Sequence, residues 1–167
     1  MPGDGFHPRP ATARDVLAVA TLTHGRYGGA LDDWVVTVTE QLDRGERMLV
    51  AEVDGTVVAY AKTGHRAPHD PDDPAPVGMW LTGAVVAPDH RRSGIARRLV
   101  GLLVAERRPT DGPVWSMTDS ANRASLALHA GLGFAEVLRA PRMLGQDFGS
   151  GTGVLLRLGT PRAQRGE

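Results

Sequence analysis

The chain has 167 residues, 41% of them apolar and 23% charged, with no cysteine and a formal net charge of zero. That length and composition suit one globular domain with a core of its own. Charge balance excludes the broad basic footprint of a nucleic-acid binder, and the missing cysteines exclude disulfides, thiolate metal sites and a cysteine nucleophile. No run approaches the roughly 18 apolar residues of a membrane span. The opening MPGDGFHPRP lacks the apolar core of a signal peptide. A cytoplasmic protein is the expectation.

Residues 6–9 read as a short strand that Pro8 confines to a sheet edge. Thr12 followed by Asp15 has the spacing of a capping box. Val16, Leu17, Val19, Ala20 and Leu22 then recur as one helical face, which Gly25, Gly28 and Gly29 are expected to break. A second helix beginning near Asp32 carries Trp34, Val35, Val38 and Leu42 and ends at Gly45. Strands follow at 48–53 and 57–62, joined by the hairpin signal Asp54-Gly55. The prolines of 64–76 forbid regular structure there. Residues 79–87, apolar almost throughout, read as a central strand. Beyond Gly94, the residues Ile95, Leu99, Leu102 and Leu103 mark one side of a long helix. Next come a strand at 114–118 and a helix capped by Asp119 or Ser120, with Leu126 and Ala130 facing inward. Strands at 134–138 and 154–158 complete the order, separated by a Gly-rich connection at 145–153. No repeat or second domain is visible. Residues 1–160 read as a single domain and 161–167 as a flexible tail.

The strongest functional signal lies between Trp80 and Glu106. A strand runs into Pro88-Asp89, the basic turn Arg91-Arg92-Ser93-Gly94-Ile95-Ala96 follows, and a helix begins. Backbone N–H groups and the positive end of a helix dipole meet an anion at such a junction. Gly94 permits close backbone approach, Ala96 keeps the first turn uncrowded, and Ser93 adds an N–H and a hydroxyl. The turn lacks the Gly-Lys-Ser/Thr of a Walker loop and the glycine spacing of a dinucleotide fingerprint. On these residues alone, an anion site and an ordinary basic strand–helix turn both remain open.

A second pattern follows the strand at 114–118: Asn122, Ser125, Leu128, His129, Gly133 and Phe134. With Arg91-x-x-Gly94-x-Ala96 it resembles the GNAT superfamily of acyl-CoA-dependent N-acyltransferases. That family opens its central helix with Arg/Gln-x-x-Gly-x-Gly/Ala. Its later helix often reads Asn-x-x-Ala/Ser-x-x-Leu-Tyr-x-x-x-Gly-Phe. The element order β-α-α-β-β-β-α-β-α-β-β is similar to the family over nearly the whole chain. The resemblance implies an α/β fold of α+β character, its mixed sheet splayed near the middle and flanked by helices. It implies acetyl-CoA as co-substrate. Main-chain groups of Arg92, Ser93, Gly94, Ile95 and Ala96 would bind the CoA pyrophosphate, with Arg91 and Arg92 adding charge. The main chain at Val86 would pair with the pantetheine arm and polarise the thioester carbonyl, as an oxyanion hole does. Asn122 would hydrogen-bond the pantetheine, and Ser125 would lie beside it.

His129 stands where many members of that family carry Tyr. The resemblance therefore implies that His129 is the general acid for the leaving thiolate, a role its reference pKa near 6.5 suits. A base is harder to place, because 79–87 contains no carboxylate. Glu52, Asp119 and His65, or a chain of waters, are the candidates. Asp70, Asp72 and Asp73 are either a lure for a cationic amine or plain solvated loop charges. His65 and His69 have helical ligand spacing, but Pro68 between them argues against a helix, so no metal site is expected. Trp34 and Tyr27 fall where the family's acceptor-lining helices sit.

The expectation is an N-acetyltransferase that passes an acetyl group from acetyl-CoA to a primary amine, on a small molecule or peptide, by direct attack in a ternary complex. The alternative is a non-catalytic acyl-CoA-binding or regulatory module of the same fold. No nucleic-acid or membrane partner is expected, and a homodimer is the default assembly.

Overall fold

In the computed structural model, which describes residues 5–160, strand β1 (His7–Pro10) pairs antiparallel with β2 (Arg47–Val53) at the edge of a sheet. Pro8 and Pro10 lack an N–H, which an edge strand tolerates. The Thr12–Asp15 box forms as expected: the Asp15 carboxylate accepts the Thr12 N–H at 2.7 Å. Helix α1 (Val16–Tyr27) follows a short 3-10 turn and runs through Gly25, contrary to expectation. One glycine costs a helix about 1 kcal/mol, less than the packing of Val19 and Ala20, both fully buried. The helix ends at Gly28, whose φ of +73° suits glycine.

Helix α2 (Leu31–Asp43) leads into β2, and the hairpin to β3 (Thr56–Arg66) turns at Asp54 and Gly55, both at positive φ. This is the backbone a two-residue hairpin demands. Strand β3 continues to Arg66, so the irregular loop begins later than its sequence suggested. Strand β4 (Gly78–Val86) passes through a 3-10 turn at Pro88–His90 into helix α3 (Ile95–Ala105). Ile95, Leu99, Val100 and Leu103 are the buried residues of α3, while Leu102 is half-buried.

Strand β5 (Val114–Asp119) precedes helix α4 (Arg123–Gly131) and β6 (Ala135–Ala140). The Gly-rich connection holds an unexpected small hairpin, β7 (Arg142–Met143) with β8 (Gln146–Asp147), before the last strand β9 (Gly153–Leu158). Its signal was Leu144-Gly145, both at positive φ, flanked by too few apolar residues for a period to show. Among the described residues the main sheet has seven strands in the order β1-β2-β3-β4-β5-β9-β6. Its β4–β5 pair is parallel, with Met79 opposite Val114 and Trp80 opposite Trp115. Pairs β1–β2, β2–β3, β5–β9 and β6–β9 are antiparallel, so the sheet is mixed.

Two compact units emerge. One holds the residues up to Thr63 together with Thr82–Ala105; the other holds Gly64–Leu81 together with the residues from Glu106 on. The first has a core of Val19, Ala20, Val38, Met48, Val50, Tyr60 and Val85. The second has Ala75, Trp80, Met143 and Leu155, with Trp115 and Phe148 packed against them. No helix among the described residues is long and apolar enough to cross a membrane. The expected tail at 161–167 lies outside the described residues.

Candidate active site

In the first unit the chemistry gathers where β4 ends. The Ala87 N–H donates to the Val58 carbonyl on β3 at 2.8 Å. A trans peptide points the Val86 carbonyl the opposite way, where Arg91 Nε donates to it at 3.2 Å. In an extended residue the N–H lies on the same edge as its own carbonyl, so the Val86 N–H also faces away from β3. Arg91 thus ties the turn back to the strand end, a role its place in the motif did not reveal.

The turn itself is exposed from Arg91 to Gly94. Arg92 has φ +60° and Gly94 φ +83°, and a Cβ on Gly94 would meet nothing within 4 Å. The Ser93 hydroxyl donates to the His90 carbonyl, leaving its main chain to face outward contacts. Helical bonding in α3 starts with the Arg98 N–H on the Gly94 carbonyl at 3.0 Å, so the N–H groups of Ile95 and Ala96 lie ahead of the ladder. The Ile95 side chain is buried, which restricts that residue to main-chain recognition. No acidic residue sits in the first turn of α3, although an acid is the side chain a helix start favours. The turn therefore has the open space and donor set that fit a diphosphate.

In the second unit, strand β5 buries Val114, Ser116 and Thr118 by simple alternation. Asn122, rather than Asp119 or Ser120, caps α4: its Oδ1 accepts the Ser125 N–H at 3.1 Å. Asp119 instead anchors a turn, accepting the N–H groups of Ala121 at 2.8 Å and Ser150 at 2.9 Å. Hydrogen bonds from Ser150 and Ala121 hold its carboxyl below the usual range. His129 is the buried residue of α4 and Ala130 is exposed, reversing the expected inward role of Ala130.

His129 is 5% exposed and lies edge-on to Phe134, with ring centroids 5.0 Å apart. Its Nδ1 stands 2.7 Å from the Ser125 carbonyl and 3.3 Å from the Ser125 hydroxyl. A carbonyl only accepts, so Nδ1 carries the proton. Nε2 then accepts from the Ser116 hydroxyl at 2.8 Å. Burial lowers the His129 pKa below 6.5, partly opposed by the bond to the Ser125 carbonyl. At neutral pH the imidazole is uncharged, with both nitrogens engaged. Ser116 was not singled out from sequence; its place on the inward phase of β5, opposite a helical histidine, was the available signal.

The three base candidates occupy other settings. Glu52 is ion-paired with Arg9, which also grips Asp15 through two bonds of 2.8 Å. Asp119 is the turn anchor just described. His65 is exposed on β3. The loop aspartates also differ from one another. Asp73 accepts the N–H groups of Ala75 at 2.9 Å and Gly145 at 3.1 Å, tying the loop to the β7–β8 hairpin. Asp70 closes its own turn on the Asp72 N–H at 2.9 Å. Trp34 donates to the Gly28 carbonyl at 2.7 Å and lies 6.5 Å from the Tyr27 ring. Among the described residues no group of three or more His, Asp or Glu is placed to hold a metal ion.

Lys62 was passed over from sequence. It is 7% exposed, and its Nζ donates to Gln41 Oε1 on α2 at 2.7 Å. Its signal was a lysine directly following the apolar run Val57-Val58-Ala59-Tyr60-Ala61 within one strand.

The profile of the Acetyltransferase (GNAT) family matches residues 17–134, and the chain belongs to that family. It is 37% identical over 98 residues to a phosphinothricin N-acetyltransferase of Alcaligenes faecalis, covering 57% of this chain and 47% of that protein. It is 34% identical over 109 residues to the L-amino acid N-acyltransferase MnaT of Escherichia coli K12, covering 63% and 59%. The chain thus spans about half the length of the curated relatives it matches. In fold it is similar to yncA from Salmonella typhimurium, solved with its cofactor acetyl-CoA. There the TM-score is 0.72 at 21% identity, over 98% of each chain.

Proposed function

We propose that this chain is an N-acetyltransferase that moves an acetyl group from acetyl-CoA to a primary amine by direct attack in a ternary complex. The observation that carries this reading is the turn Arg91–Ala96: an exposed, acid-free helix start with open space over Gly94, in a chain of this family. Relatives named for phosphinothricin and L-amino acid acylation support it. The donor supplies an activated acetyl thioester. Main-chain groups of Arg92, Ser93, Gly94, Ile95 and Ala96 hold its diphosphate, with Arg91 and Arg92 adding charge. The Val86 N–H faces the thioester carbonyl, where negative charge develops. Asn122 and Ser125 contact the pantetheine arm, using groups beyond those that cap α4. His129 gives a proton to the leaving thiolate from its protonated form, which burial makes scarcer and more acidic than a free imidazolium. The reading treats residues 1–160 as one functional domain working in the cytoplasm.

Calorimetry with acetyl-CoA, followed by thiol release with a panel of amines, tests it. Binding and amine-dependent release are expected. Binding without release favours the acyl-CoA-binding module, which His129's committed nitrogens make the second reading. Absence of binding overturns both.

A further inference from the structure

Resting on the transferase reading, we propose that Ser116 is a catalytic residue: the proton that His129 surrenders reaches the leaving thiolate through the Ser116 hydroxyl.

The inference begins with a buried hydroxyl that the reaction has so far left unused. Strand β5 turns Val114, Ser116 and Thr118 inward, and Ser116 is 3% exposed. An apolar side chain is the cheaper filler of such a place, since a buried hydroxyl costs free energy unless it is hydrogen-bonded. Among the described residues its one hydrogen-bond partner is His129 Nε2, at 2.8 Å.

The two ring nitrogens of His129 are not equivalent. Nδ1 lies 2.7 Å from the Ser125 carbonyl. That oxygen only accepts, so removing the Nδ1 proton would set two lone pairs against each other. Nδ1 therefore keeps its proton whether the ring is neutral or charged, and Nε2 is the nitrogen that changes state. Nε2 has one in-plane direction for a proton, and Ser116 Oγ stands there at hydrogen-bond distance. The ring is 5% exposed, with Phe134 edge-on to it at 5.0 Å between centroids. The outlet for the Nε2 proton is therefore Oγ.

In the neutral ring the Ser116 hydroxyl donates to Nε2. In the charged ring the roles reverse: Nε2–H donates to Oγ, and the serine hydrogen needs a new acceptor. Among the described residues no other acceptor stands within hydrogen-bond distance of it. The departing thiolate is the acceptor that the reaction brings. In that step the Nε2–H bond breaks as a new Oγ–H bond forms. The original Oγ–H bond breaks as the sulfur gains its proton. The ring ends neutral, Ser116 again donates to Nε2 as in the structure, and CoA leaves as the thiol. The attacking amine sheds one proton per turnover, which recharges the ring and closes the balance.

The test assays Ser116→Ala and His129→Phe, singly and together, with acetyl-CoA and a panel of amines. Ser116→Ala should lower kcat about tenfold, with KM for acetyl-CoA nearly unchanged. Because the two groups act in series, the double variant should be no slower than His129→Phe alone. Wild-type kcat in Ser116→Ala, or losses that multiply in the double variant, overturns the relay. If Ser116→Ala fails to fold, the wild type decides. Its rate in mixtures of light and heavy water should curve, as two protons in flight require, and a straight plot overturns the proposal. A readout that needs no turnover is the thiolate absorbance of bound CoA. A hydroxyl donating to the sulfur should make the bound thiol titrate about half a pH unit or more lower in the wild type than in Ser116→Ala. Ser116→Thr, which keeps a hydroxyl, should titrate with the wild type. Equal titration in wild type and Ser116→Ala overturns the proposal, because packing alone does not act on the sulfur. If CoA binds but no amine releases thiol, the transferase reading has failed on its own. The thiol titration then judges Ser116: a shift sustains its contact with the sulfur, and no shift removes it.

Discussion

Helices α3 and α4 begin in opposite ways, although both starts lie in stretches that match the family pattern. At α4 the chain closes on itself: Asn122 Oδ1 takes the Ser125 N–H, and no outside group is needed to cap the turn. At α3 the first turn has no acid, Ser93 turns its hydroxyl back to His90, and the space over Gly94 is open. Every helix start carries about half a positive charge. The first helical segment meets that charge with Asp15 and α4 with Asn122, while the first turn of α3 carries no acid. Two motif matches of similar strength therefore differ in physical content. One leaves its first turn free of acid and open, whereas the other is already closed by its own side chain.

The sharpest way to break this contrast is Gly94→Asp. An L side chain at φ +83° costs about 1–2 kcal/mol, and a carboxylate there would repel the proposed diphosphate. Calorimetry should show acetyl-CoA affinity falling on the order of 100-fold; unchanged affinity removes the diphosphate from this turn. Next in size is Asp15→Asn at the start that supplies its own acid. Hydrogen bonds from Arg9 hold the Asp15 carboxyl at about 2, below its ordinary value of 3.8. A depressed carboxyl pKa contributes stability above the unfolded value, lost as pH falls from about 4 through about 2. Urea unfolding at pH 7 should show a loss of about 2 kcal/mol for Asp15→Asn. The variant should also lose less than the wild type between pH 4 and pH 2.

His129→Phe tests the α4 side directly. Turnover should drop about tenfold, within the range of a lost general acid, with acetyl-CoA affinity nearly unchanged; wild-type turnover would confine His129 to packing. Its pH behaviour has the opposite sign to that of a histidine gaining a partner. The lowered pKa favours the neutral ring, so its share of stability is present above pH 6.5 and lost as pH falls toward the lowered folded value. The smallest effect belongs to Asn122→Ala, which should cost about 1 kcal/mol as a lost cap. Equal acetyl-CoA affinity in that variant would mean that Asn122 serves only α4.

Much of this was legible in the residues themselves. The Thr12–Asp15 box, the Asp54-Gly55 turn and the Arg91-to-Ala96 junction are local, each settled by spacing along a few residues. Local rules failed where a distant partner decided. Gly25 stays helical because packing of α1 outweighs one glycine. Asp119 leaves the cap position because Ser150, far along the chain, supplies an N–H for its carboxylate. Ala130 turns outward because the face of α4 that packs inward is the one carrying His129, held against Ser116 and Phe134.

By itself the sequence determined the order of the helices and main-sheet strands and the family, because apolar period, turn residues and short motifs are written in neighbouring positions. Tertiary structure decided the charge states and commitments of the chemical groups. Whether His129 is neutral depends on how deeply α4 is buried and on the Ser125 carbonyl. Whether a lysine stands beside β4 depends on a strand, a helix and a glycine brought together from three separate stretches. Desolvation and hydrogen-bond partnership act through space, and no spacing along the chain encodes them.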